Sequence, residues 1–80
     1  MINISRIKWA IEELKEDEEY IQWVLPIVVK VHVGDDLAYI QISKGDIHSR
    51  KVLSIMEIKH AKFDLVSHVV NEMVDEINEY

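Results

Sequence analysis

The spacing of apolar residues divides the chain into helical ends and an extended middle. Near the start, four apolar residues recur every three or four positions, namely Ile4, Ile7, Ile11 and Leu14. At about 100° per residue they share one face, so the pattern predicts an amphipathic helix from Ile4 to Glu19, capped by Asn3 or Ser5. A wider stripe predicts a second helix from about Ala61 to Asn78. The members of this stripe are Phe63, Val66, Val69, Val70, Met73, Val74 and Ile77.

The middle of the chain has the composition of β-strands. The segment from Tyr20 to Val33 is rich in valine, isoleucine and aromatic residues, which is typical of strands. Pro26 must lie at an edge, a bulge or a break of such a segment. After Pro26, apolar residues alternate with Val28, Lys30 and His32, which predicts a strand with one buried face.

The strand after Pro26 is predicted to form a hairpin with the segment that follows it. Gly34-Asp35 has the composition of a two-residue turn, which pairs Val33 with Asp36. The same register pairs Val31 with Ala38, Val29 with Ile40, and Ile27 with Ile42. All six of these apolar side chains then lie on one face, so the turn and the alternation agree.

The segment after the next turn, Ser43 to Asp46, has two interpretations. The residues from Lys51 to Ile58 are strand-like, but Ser54 and Glu57 have the spacing of a capping box that would begin a helix at Ile55. We favour a third strand. The fold predicted for residues 1–80 is therefore a single small α+β domain of order α-β-β-β-α, with an antiparallel sheet packed against two amphipathic helices in two layers.

Negative charge is concentrated at the two ends of the chain. The formal net charge is −6. Residues 1–19 contain three basic and six acidic residues, residues 72–80 contain four acidic and no basic residues, and residues 20–71 contain six basic and five acidic residues. This distribution argues against direct binding to nucleic acid or to an anionic membrane, and it suits a basic protein partner. The alternative is that these acidic faces only keep a small domain in solution.

The composition also bears on location and chemistry. There is no cysteine, hence no disulfide and no thiolate ligand or nucleophile. The longest apolar stretch, Trp23 to Val29, contains Pro26 and is too short to span a bilayer, so we expect a soluble, cytoplasmic protein. With no catalytic motif and no phosphate-binding loop, we expect no enzymatic activity and no cofactor.

One histidine-rich pattern raises the possibility of a metal site. His60, Asp64 and His68 are four residues apart and would form a column on one helix. The two histidines would then be about 12 Å apart along the helix axis, too far for one ion to reach all three. We therefore favour a surface carboxylate between two histidines and expect no bound metal.

Trp9 is the least expected residue of the first helix. It projects opposite the apolar face, where its helical neighbours are Ser5, Glu12, Glu13 and Glu16. One interpretation is an aromatic anchor for a partner, with the carboxylates as a charged rim. The other is that the second helix, or the segment from Tyr20 to Leu25, wraps around the helix and buries it.

Two functional hypotheses follow. The first is a non-enzymatic inhibitor or adaptor that docks acidic helices on a basic, often nucleic-acid-binding, surface of another protein. Its candidate binding residues are Trp9, Glu12, Glu13, Glu16, Glu19, Glu72, Asp75, Glu76 and Glu79. In size, acidity and simple topology the chain resembles small acidic α+β proteins of phages and mobile elements, including anti-CRISPR proteins, and this resemblance implies that carboxylates stand in for phosphates.

The second hypothesis is a structural domain that binds copies of itself, for example as a homodimer. It would use the open sheet edge or the second sheet face, where Val28, Leu37 and Tyr39 form an apolar patch. The order helix, three strands, helix also occurs in double-stranded-RNA-binding domains. The last helix here is acidic, however, so we do not expect RNA binding.

Overall fold

In a computed structural model that describes residues 1–80, three helices pack with one antiparallel four-stranded sheet. The elements in chain order are α1 (Ile4–Glu13), β1 (Glu19–Val24), β2 (Ile27–Val33), β3 (Leu37–Lys44), β4 (Ile47–Ser54), α2 (Ile55–His60) and α3 (Leu65–Asn78). The strands lie in the order β1-β2-β3-β4. The predicted α+β class and antiparallel sheet are confirmed, and the chain has one strand and one helix more than predicted.

The additional strand comes from the segment predicted as a single strand from Tyr20 to Val33. This segment forms β1 and β2, which pair so closely that Val24 lies opposite Ile27. Leu25 and Pro26 form the turn between them, and the peptide bond that joins these two residues is cis. Pro26 therefore marks a break, one of the three positions expected for it, because proline has no N–H group to donate to a sheet.

The predicted hairpin forms, but its register is wrong by two residues. Val33 pairs with Ala38 and not with Asp36, so the connection is longer than the predicted two-residue turn. Gly34 N–H donates to the Leu37 carbonyl (2.8 Å), and Asp36 adopts a positive φ of 59°. Because side chains alternate with a period of two, a shift by two keeps every predicted residue on its predicted face.

The ambiguous segment after Lys51 is strand and helix in turn. Strand β4 continues to Ser54, and α2 begins at Ile55. The Ser54 side chain accepts a hydrogen bond from the Glu57 N–H (3.5 Å), so it caps the short helix. Both interpretations of this segment are thus correct, each for its own half.

Both main helices are shorter than predicted. The first ends at Glu13 and not at Glu19, and Asp17 adopts a positive φ of 68°. The physical reason is that the acidic run after Lys15 would lie at the negative end of the helix dipole. The last helix begins at Leu65 and not at Ala61, with Asp64 as its cap.

The core lies between one face of the sheet and the helices α1 and α3. α1 packs on β2 and on α3, while α3 packs on β3 and β4. The fully buried side chains of this core include Ile7, Val29, Val31, Ile40, Ile42, Val70, Met73 and Ile77. The opposite face of the sheet has no helix over it. None of the helices has the length and apolar character needed to cross a membrane.

Asp64 ties the beginning of α3 to α1. Its Oδ1 accepts a hydrogen bond from the Ser67 N–H (3.0 Å), and its Oδ2 pairs with the Lys8 ammonium of α1. The hydrogen bond from Lys8 lowers the pKa of the Asp64 carboxyl below its usual 3.8, and the bond from the Ser67 N–H adds to this effect. The negative form of Asp64 is therefore the one that stabilises the fold.

We expect Asp64→Ala to lower the free energy of unfolding by about 1 kcal/mol, since it removes a helix cap. Asp64→Asn keeps a capping oxygen and loses only the charge, so its cost should be a few tenths of a kcal/mol. Because the folded-state pKa is lowered, the advantage of the wild type over Asp64→Asn should be present above pH 3.8 and disappear as the pH falls below it. Urea unfolding of the three proteins between pH 2 and 7 measures this, and a pH-independent difference would contradict it.

Candidate protein-binding surfaces

Trp9 lies on the outer side of α1. The buried residues of this helix are Ile7, Ala10 and Ile11, and Trp9 is 47% exposed. The structure therefore contradicts the interpretation in which the chain wraps around Trp9. The Arg6 guanidinium lies 5.5 Å from the centre of the indole ring. Arg6 was not among the neighbours predicted for Trp9, although a spacing of three residues places two side chains on the same side of a helix.

The acidic residues that follow Trp9 do not form one continuous row. Glu12 and Glu13 are exposed on the last turn of α1, but Glu16 lies in the loop after it. Glu19 belongs to β1, where its Oε2 is 3.8 Å from Lys30 Nζ and 3.7 Å from His32 Nδ1. The prediction that these four glutamates lie on one helix is wrong, because α1 ends at Glu13, before Glu16 and Glu19.

The carboxylates of α3, in contrast, form a continuous acidic row. Glu72, Asp75, Glu76 and Glu79 are all exposed, and each lies three or four residues from another. Only Glu72 has an ion-pair partner, since its Oε1 lies 3.1 Å from His68 Nε2. The last turn of α3 contains no basic residue. Three negative charges therefore remain unpaired at the negative end of the helix.

The histidine and aspartate column of the sequence analysis does not form. It requires one helix through all three residues, but His60 ends α2, and Asp64 caps α3 after a non-helical connection. Asp64 pairs with Lys8, and His68 pairs with Glu72. The structure contains no group of three or more histidine, cysteine or acidic residues placed to hold a metal ion.

The second face of the sheet is open. Its central side chains are Ile21 and Trp23 from β1, Val28, Lys30 and His32 from β2, Tyr39 and Gln41 from β3, and Arg50 and Val52 from β4. Trp23 is 69% exposed. The segment from Ser43 to Lys51 forms the β3–β4 hairpin and does not cover this face. The face is therefore accessible to another molecule.

Polar side chains at the centre of this open face contact one another. The Tyr39 ring lies between His32, whose ring centre is 5.8 Å away, and the Arg50 guanidinium, 4.9 Å from the ring centre. Two carboxylates, Asp17 and Glu19, lie within 4 Å of His32, so they balance the cations Lys30 and Arg50 on this face. The molecule thus has an acidic α3 on one side of the sheet and a mixed aromatic and polar surface on the other.

The candidate binding residues are divided between the two sides of the sheet. Glu12, Glu13, Trp9 and the acidic row of α3 lie on elements that cover the same face of the sheet, whereas Glu19 lies on the other face. Comparison with family models, with curated proteins and with solved structures finds no match to this chain.

Proposed function

We propose that this protein is a non-enzymatic, acidic protein-binding module that acts in the cytoplasm as an inhibitor or adaptor. It docks its helical layer on a basic surface of a partner protein. The observation that carries this proposal is the unpaired acidic end of α3, where Asp75, Glu76 and Glu79 are exposed and lack any cationic partner. A partner that brings lysine or arginine side chains to this helix supplies the missing charges.

The arrangement of these carboxylates opposes folding. Like charges three or four residues apart destabilise a helix by about 0.2–0.5 kcal/mol per pair. Negative charge in the last turn adds about 0.3–1 kcal/mol for each residue. Both effects disappear when cations from a partner neutralise the row, so they become a contribution to binding. A surface that lowers stability in isolation is common at functional sites.

Trp9 provides an apolar element on the same helical layer. With about half of its surface exposed, the indole ring offers a partner a large rigid contact, and the Arg6 guanidinium supports one side of it. Glu12 and Glu13 are exposed one turn further along α1, and Glu16 follows in the loop. Glu19 has no role in this proposal, because it lies on the opposite side of the sheet.

The class of partner follows from the charge of the helical layer. Carboxylates spaced along a helix can occupy phosphate-binding positions in a basic groove, which makes nucleic-acid-binding proteins suitable partners. The resemblance in size and charge to small acidic phage proteins supports an inhibitory role. Charge complementarity of this kind mainly accelerates association, so binding should weaken steeply as salt concentration rises.

Affinity capture from a host lysate at low and high salt, followed by quantitative mass spectrometry, tests this proposal. Glu76→Lys and Trp9→Ala should each weaken capture of the specific partner about tenfold, or about 1.4 kcal/mol. Asp35→Lys makes the same charge change in the β2–β3 connection and serves as the matched control. If Glu76→Lys retained as much partner as Asp35→Lys, docking through α3 would be wrong.

A further inference from the structure

The edge of the sheet formed by β1 has unpaired backbone groups. β1 pairs only with β2. The Val33 N–H donates to the Glu18 carbonyl (3.2 Å), so the backbone of Glu18 faces β2. Because backbone direction alternates along an antiparallel strand, the N–H and C=O groups of Glu19, Ile21 and Trp23 point away from β2, toward the free edge.

Beyond Glu19, this edge lacks the features that normally prevent strands from associating. No charged residue occurs from Tyr20 to Leu25, and Ile21, Trp23 and Leu25 are 42%, 69% and 77% exposed. The other edge strand, β4, contains adjacent cations, Arg50 and Lys51, in its middle. Charged residues on an edge oppose pairing with another sheet. The two edges therefore differ, and only β1 is suited to accept another strand.

We propose that β1 pairs with β1 of a second copy of this chain, antiparallel, about a twofold axis at Ile21. The two four-stranded sheets then join into one sheet with a continuous open face. In this register Ile21 lies opposite the partner subunit's Ile21, and Glu19 lies opposite the partner subunit's Trp23. All three outward-facing residues of β1 then donate and accept a hydrogen bond across the interface.

The distribution of charge favours pairing of two chains through β1 and disfavours pairing through β4. The acidic helix α3 packs over β3 and β4, and Glu76 and Glu79 lie next to residues 47–49 of β4. Pairing through β4 would bring two acidic helices together, whereas pairing through β1 places them at opposite ends of the joined sheet. Across the β1 interface, Glu19 faces the uncharged Trp23 of the partner subunit, so no like charges are opposed.

This inference does not rest on the proposed function. The dimer leaves α3 free at both outer ends and leaves the outer side of α1 on the helical face of the sheet. Loss of dimerisation and loss of partner capture are therefore separate results. A dimer also presents two acidic helices, which would increase the avidity of binding to a partner with repeated basic sites.

The test measures mass in solution and proximity across the axis. In light scattering on the full chain at micromolar concentration, the wild type should be a dimer. Ile21→Lys would place two lysines opposite each other on the twofold axis, so it should raise the dissociation constant of the dimer about a hundredfold. Val52→Lys, on the same open face of β4, is the control and should remain a dimer. A monomeric wild type, or equal dissociation of both variants, would overturn the proposal.

A cross-linking experiment keeps the proposal testable if Ile21→Lys does not fold. The chain contains no cysteine, so a single introduced thiol reports on one position. Residues opposite each other in a hydrogen-bonded antiparallel pair have Cα atoms about 5.5 Å apart, within the range of a disulfide. Ile21→Cys should form a disulfide dimer under mild oxidation, and Val52→Cys should not. Equal cross-linking at both positions would contradict pairing at β1.

Discussion

Ile40→Ala is expected to lower the free energy of unfolding by about 3 kcal/mol, within the range of about 2–5 kcal/mol for truncation of a buried isoleucine. Ile40 is 0% exposed in the interior strand β3, on the face covered by the helices. Truncating the side chain reduces the apolar area that is buried in the core. It also leaves a cavity, because the neighbouring strands hold the backbone in place. Denaturant unfolding at a fixed protein concentration measures the effect, and the slope with denaturant should be unchanged.

The matched control for this prediction is Val52→Ala. Val52 lies on the neighbouring strand β4 but on the open face, and it is 51% exposed. Its truncation should change stability by at most about 0.5 kcal/mol, as is usual for surface residues. A cost for Val52→Ala similar to that for Ile40→Ala would show that the open face is covered in solution. A cost below about 1 kcal/mol for Ile40→Ala would contradict the placement of the core.

The burial of Ile40 could be predicted even though its strand partner could not. The alternation of apolar residues assigns Ile40 to the buried face, and any shift of the hairpin by an even number of residues preserves that face. The register depends on the turn, and the turn depends on backbone angles at Asp36 that its sequence does not specify. The predicted register was therefore wrong by two residues, while the predicted face was confirmed.

The element boundaries were harder to predict because neighbouring signals overlap. Strand-like residues occur on both sides of Pro26, so composition alone did not separate β1 from β2. Ser54 belongs to a strand pattern before it and a capping pattern after it, and it serves both. At its end, α1 was predicted to continue through the acidic run to Glu19, although negative charge is unfavourable there, and the helix ends at Glu13.

The candidate binding surfaces could also be predicted only in part from the sequence. The outward direction of Trp9 could be predicted from helical spacing, but its exposure depends on which elements pack nearby, which local sequence does not determine. Glu19 was assigned to the acidic helix because that helix was predicted to be six residues longer than observed. The free edge of β1 could not be recognised while Tyr20 to Val33 was treated as one strand. Pro26 was the residue that indicated a break between two strands at this point.

Glu76→Lys/Glu79→Lys is expected to raise the free energy of unfolding by about 2 kcal/mol. The substitutions convert two repulsive pairs, with Glu72 and Asp75, into attractive ones, each a change of about 0.4–1 kcal/mol. They also place positive charge at the negative end of the helix dipole, worth about 0.3–1 kcal/mol per residue. Thermal and urea unfolding at low ionic strength measure the gain. At 1 M salt, where the screening length falls to about 3 Å, most of the gain should disappear.

The control for this variant is Asp35→Lys, which also lowers the negative charge but lies in the β2–β3 connection. If Asp35→Lys stabilised the protein as much per charge, the gain would come from net charge and not from the helix. Under the proposed function, the Glu76→Lys/Glu79→Lys protein is more stable yet binds its partner more weakly than the wild type. Improved folding with lost binding would separate the acidic row from a structural role, because a row retained for stability cannot be reversed with a gain in stability.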